Sequence, residues 1–233
     1  MSSELLFEGG GHRAVLKLSV SPRARVMRLR VDRRTGEVVL TVPRRISPRK
    51  ALDWAAGHRA WVEGQLAQIV PAERLVPGAS LPYLGEPLMI DWAAARPRIP
   101  RVESDRLLIG GPEDNLEARL LRWLRREALA LLTGETQEFA AKAGVTVSRI
   151  GIGDPLSRWG SCSSSGGIRY SWRLVLAPDW VRRATVAHEV AHRVHMNHGP
   201  EFHALVEELL GADPKPARSW LRRNGPLLHR IAR

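Results

Sequence analysis

Apolar residues near the start of the chain fall into three short runs, 15–20, 26–31 and 38–42, with Leu29 and Val31 alternating against polar neighbours and turn-forming residues at 32–36. Alternation with a period of two puts one face of a strand on a core, so these runs predict an antiparallel hairpin or meander. The period then changes. Ser47-Pro48 has the cap-plus-proline form of a helix start, and Ala51, Leu52, Ala55, Val62, Leu66 and Ile69 give one helical stripe to about Val70. Trp54 and Trp61 are expected to pack that helix on the sheet. Short strands separated by Gly and Pro follow at 81–84, 87–92 and 106–109.

Gly110, Gly111 and Pro112 read as a joint, which divides the chain into an N-terminal α+β region, 1–112, and a second region, 113–233. Beyond the joint, Leu120, Leu121, Leu124, Ala128, Leu131 and Leu132 mark a long helix over 116–143 with Gly144 as its cap. Strands are expected at 145–152, 159–162 and 168–176, with Gly166 and Gly167 in a turn, forming a small antiparallel sheet. Pro178 opens a largely apolar helix through Ala184, Val186, Ala187, Val190, Ala191 and Val194. Pro200 opens another to Leu210, with Gly211 beyond, and Asp213-Pro214 opens a third to Asn224, with Gly225 after it. The fold class is therefore α+β.

Composition narrows the setting. At 233 residues and 44% hydrophobic, the chain can bury a full core as one large or two small domains. No apolar run is long enough for a membrane span, and residues 1–10 carry no basic leader, so a cytoplasmic location is expected. The single Cys162 excludes an intrachain disulfide and fits a reducing compartment. The formal charge is +12, and only Lys17, Lys50, Lys142 and Lys215 among the basic residues are lysines. Such an excess makes nucleotide or nucleic acid a candidate partner, although the arginines are spread over every segment rather than forming one block.

The chemistry is concentrated in one short segment. His188, Glu189 and His192 form His-Glu-Val-Ala-His, His198 follows six residues later, and five of the eight histidines lie between positions 188 and 203. Residues four apart share a helix face, so His188 and His192 can hold one ion while Glu189 projects beside it. Catalytic zinc takes three protein ligands and keeps a fourth position for water. Asn197, Gly199 and Pro200 end the helix where a third ligand is needed, and His198 stands there. Glu189 and His192 on an otherwise apolar helix would be costly unless coordinated or hydrogen-bonded. These residues predict a single Zn2+ on His188, His192 and His198, with Glu189 as general base.

Three further stretches complete a pattern: Arg158-Trp159-Gly160-Ser161-Cys162, the run from Ser171 to Pro178, and Met196-Asn197-His198 with Phe202. With the histidine motif they resemble the YgjP-like metallopeptidases, zincin-type proteins related to the SprT-like peptidases. The resemblance covers most of 115–224 and, less specifically, the N-terminal region. It implies a zincin-like core, a small sheet packed on the metal-bearing helix, and peptide or protein substrates. His195 stands where metzincins place Gly, which argues against a metzincin proper. Tyr170-Ser171 and His203 depart from the usual YgjP-like pattern and bear on substrate preference.

Other residues have two readings each. The 168–176 strand is a candidate edge for an extended peptide, or an ordinary core hairpin. Arg158 can meet an oxyanion or an acidic substrate group, or pair with Asp154; Tyr170 is a second oxyanion candidate. Trp159 and Trp172 are core residues or a platform, Cys162 a small buried residue rather than a nucleophile, and His195 and His203 outer groups of the metal site or plain surface histidines. Three activities stay open: a zinc peptidase, a metal-dependent nucleotide or phosphoester hydrolase, and a nucleic-acid-associated protease.

Overall fold

The computed structural model describes residues 5–32, 35–69 and 72–232. It is α+β and divides into two compact units, 1–71 and 72–233.

In the first unit, β1 (Leu6–Gly9), β2 (His12–Ser21), β3 (Arg28–Val31) and β4 (Val38–Pro43) form a sheet in the order β1-β2-β4-β3. The expected meander is corrected on one point: β2 and β4 pair in parallel, Leu16 opposite Val38 and Val20 opposite Val42, with β3 antiparallel on the outside. The single predicted helix is two, α1 (Pro48–Gly57) and α2 (Arg59–Ala67), broken at His58. The predicted end at Val70 lies outside the described residues. Ser47 Oγ accepts from Lys50 N and Pro48 occupies the first turn, as the sequence foretells. Ala51, Ala55, Val62 and Leu66 seal Phe7, Val38, Leu40 and Val42 from water. Trp54 packs against this cluster, but Trp61 is exposed. The turn after β1 approaches α2 so closely that a Cβ on Gly10, whose φ is +57°, would sit 2.6 Å from Ala67 Cα.

In the second unit, β5 (Ser80–Tyr83), β6 (Glu86–Trp92), β7 (Arg101–Glu103) and β8 (Arg106–Ile109) form a sheet in the order β5-β6-β8-β7. Its Leu81, Leu88, Ile90, Leu107 and Ile109 join the same core as Leu116, Leu120 and Leu124 of α3 (Leu116–Lys142). The joint expected at 110–112 is therefore a turn inside this unit, because shared apolar burial holds the strands to the helices that follow them. Gly144, with φ +64°, ends α3 as foreseen.

A second, three-stranded sheet follows, from β9 (Arg149–Gly153), β10 (Gly160–Cys162) and β11 (Gly167–Ser171), in the order β10-β11-β9. It is mixed rather than antiparallel, because β11 runs parallel to β9. The expected strand over 168–176 stops at Ser171, whose Oγ accepts from Arg173 N and starts a 3-10 segment, Trp172–Leu176. All five of its residues are buried, and a short apolar run reads alike as a core strand or a core turn. Three helices close the unit, α4 (Asp179–Ala191), α5 (Pro200–Leu210) and α6 (Lys215–Leu228). Helix α6 continues past the predicted stop at Asn224. Gly225 is buried under Trp159, where a Cβ would come within 2.7 Å of the indole, so this glycine serves close packing and not a cap.

Candidate metal centre

Two buried ion pairs fix the frame of the site. Arg182 on α4 donates from Nε and Nη2 to Glu135 on α3, at 3.1 and 2.8 Å, holding the two helices in one register. Arg173 gives its Nε and Nη2 to Asp154, at 2.7 and 3.1 Å, and its Nη1 to the carbonyls of Leu228 and Ile231. The end of α6 is thereby tied to the 3-10 segment and to the strand connection beside the cleft. Because Asp154 is taken by Arg173, Arg158 does not pair with it as sequence reasoning allowed; it is exposed and lines the cleft.

Helix α4 carries His188 and Glu189 and ends at Ala191, earlier than its apolar pattern suggests. The last turn tightens, with Arg193 N donating to Val190 O and Val194 and His195 N to Ala191 O. His195 consequently leaves the face of His188. Its carbonyl accepts from His192 Nδ1 at 3.1 Å, which orients that imidazole and leaves Nε2 for a ligand, while its own ring lies 3.7 Å from Glu201. The same turn returns the chain to His198.

The three imidazoles meet, their ligand atoms all within 4.8 Å of one another. His198 Nε2 stands 3.3 Å from His188 Nε2. Two nitrogens sharing one tetrahedral ion at ordinary zinc–nitrogen distances lie roughly 3.3 Å apart, so the donor set fits such an ion. Phe202, fully buried on α5, supports all three rings, its centroid 4.9, 4.5 and 4.7 Å from those of His188, His192 and His198. Burial, then the neighbouring His192 and His198, push His188 down to about 3, and burial also lowers His192. Both rings are therefore neutral near pH 7, with a lone pair to offer.

Glu189 is 5% exposed, and burial raises its carboxyl to about 7 against the opposing charge of Arg158. It lies against the backbone of Gly160, where a Cβ would collide with its carboxyl group. An open cleft of about 460 Å³ leads to His188, Glu189 and His198, with Trp159, Arg158 and Arg218 in its walls.

The remaining candidates sort by position. Tyr170 is buried, its hydroxyl is 3.0 Å from Thr136 Oγ1 and it does not line the cleft, so it is a core residue. Trp172 is buried as well, whereas Trp159 stacks on His229 and lines the cleft. Cys162 is half-buried, and burial pushes its thiol up, against a role as nucleophile. His203 is exposed at the cleft wall. The peptide-docking edge proposed over 168–176 is excluded, since β11 is the central strand; β10 is the edge next to α4. Two contributions lay beyond sequence reasoning: the support from Phe202 and the close approach of Gly160. Gly160 meets a segment distant along the chain, and Phe202, four residues after His198, reads from spacing alone as one more apolar position of α5.

Three converging imidazoles, a buried carboxyl beside them and an open cleft are the features of a metal-dependent hydrolase. A family comparison narrows that class: residues 25–224 match the YgjP-like metallopeptidase domain, and the chain belongs to that family. No curated protein and no solved structure matches it.

Proposed function

We propose that this chain is a zinc peptidase in which His188, His192 and His198 hold one ion and Glu189 is the general base. The observation that carries this reading is the 3.3 Å approach of two imidazole nitrogens beside a buried carboxyl on an open cleft. An ion held there would supply an acidified water and polarise the scissile carbonyl. A neighbouring cation also favours the charged form of Glu189, countering its burial. The Glu189 carboxylate accepts the proton of the attacking water and delivers it to the departing amine. Edge strand β10 presents its free side to an extended peptide, placing the scissile bond beside Glu189. Trp159 shields one wall of the cleft from water. The single free Cys162 supports a cytoplasmic setting, and no helix among the described residues is long and apolar enough to cross a membrane.

A second reading, hydrolysis of a phosphate-bearing substrate at the same centre, is favoured by Arg158 and Arg218, exposed cations that face the cleft. One experiment separates the two. Metal-loaded protein and its Glu189→Gln variant are assayed on unfolded protein and on nucleoside triphosphates. Peptide cleavage that falls about 10²–10⁴-fold in the variant, with metal content unchanged, is the expected outcome. Glu189-dependent phosphate release without proteolysis would establish the second reading instead, and a fully active variant would refute both.

A further inference from the structure

A second cavity, of about 610 Å³, shares no residue with the cleft of the metal centre. Arg98, Arg119, Arg122 and Arg126 line it, with Trp123 in its wall and no carboxylate anywhere in its lining. Arg119, Arg122 and Arg126 recur at the spacing of one face of α3, and Arg98 reaches the same space from the segment between β6 and β7. The stem of Arg98 lies over Gly111, where a Cβ would stand 2.8 Å from Arg98 Cγ, so the positive-φ glycine makes room for it.

Like charges gathered this way repel, and among the described residues Arg98, Arg119 and Arg122 make no ion pair. Glu117 is engaged by Leu75 N and Arg74, and Asp91 by Arg96 and Arg106. Arg126 has only an exposed contact with Glu127 at 3.6 Å, of a kind that contributes little. Most telling, Nε and Nη2 of Arg119 are buried and have no hydrogen-bond partner. A charged donor left unmet costs free energy, and an anion that drew this side chain into the cavity would offset that cost.

We propose that this cavity binds clustered phosphates, as borne by a nucleotide polyphosphate or a nucleic-acid backbone. Guanidinium forks match phosphate oxygens in pairs. From Arg119 to Arg126 the helix rises roughly 10 Å, which suits linked phosphates and not a lone carboxylate. The net charge of +12 attracts polyanions to the whole surface, so the discriminating quantity is the local share of the affinity.

The test is fluorescence anisotropy of the full chain with a labelled single-stranded oligonucleotide, and competition and direct calorimetry with inorganic tripolyphosphate. Arg119→Gln removes the buried fork, and Arg98→Gln/Arg122→Gln removes two exposed members without disturbing the core. Arg222→Gln/Arg223→Gln, exposed on α6 and outside both cavities, is the control of equal charge. The cluster variants should weaken binding by about tenfold or more and lower the salt slope by about one per arginine, with the control within about twofold of the parent. Tight tripolyphosphate binding with a weak oligonucleotide assigns a nucleotide-type ligand; oligonucleotide binding displaced by tripolyphosphate assigns a nucleic-acid backbone. Failure of both probes to bind at physiological salt, or equal losses in control and cluster variants, would overturn the proposal. Peptidase activity plays no part in the readout.

Discussion

Gly160→Ala tests the proposed catalytic geometry without altering a metal-ligating or titrating residue. A Cβ at Gly160 would lie 2.6 and 2.7 Å from Cγ and Cδ of Glu189, where ordinary contacts begin near 3.4 Å. Either the glutamate or β10 must therefore retreat by roughly 0.8 Å, in an interior packed too densely to absorb it elsewhere. A displacement of this size at a reacting group costs about 10²-fold in rate. Overpacking of about 1–3 kcal/mol lowers Tm by about 2–12 °C. The assay is turnover on unfolded protein, with metal content and melting measured on the same samples. Metal binding should be unchanged, because the three atoms nearest the new methyl group all belong to Glu189. A double-mutant cycle sharpens the test. If Gly160→Ala acts through Glu189, the variant carrying both changes will be no slower than Glu189→Gln alone. Gly160→Ala activity within threefold of the parent, or full multiplicativity of the two losses, would show that this contact does not position Glu189.

Two further predictions follow from the frame of the site. Arg173→Met strands the Asp154 carboxylate and frees the carbonyls of Leu228 and Ile231, a loss of about 3–5 kcal/mol, read as a fall in Tm of about 6–20 °C. Burial alone would raise Asp154, but the bonds and charge of Arg173 hold it below 3.8, so its stabilising share is complete above that pH and is lost as pH falls through the lowered value. The Tm gap between parent and variant should narrow below about pH 4, and a gap that widens there would contradict the assignment. Tyr170→Phe should leave turnover within about twofold while costing about 1 kcal/mol of stability, because its hydroxyl meets Thr136 in the core. A large loss of turnover with normal melting would return Tyr170 to the list of oxyanion groups.

What was legible from the residues alone is what is encoded over a dozen positions or fewer. The pairing of His188 with His192, the return of the chain to His198 and the openings of α1 and α5 all depend on helical spacing and on the local conformations of Pro, Gly and Asn. Even there, backbone hydrogen bonds in the last turn of α4 moved His195 off the expected face. Contacts between distant segments decided the rest. Arg173, not Arg158, claims Asp154; β11 lies inside its sheet and β10 at its edge; Gly160 comes up against Glu189. Leu81 and Ile109 share a core with Leu120, which removes the expected joint at 110–112. Arg98 meets the α3 arginines across more than a helical turn of intervening sequence. An apolar or charged side chain announces only that it needs burial or a counter-charge, and many partners satisfy that need equally well; which one it meets is settled when the packing of the whole unit leaves room for a single arrangement.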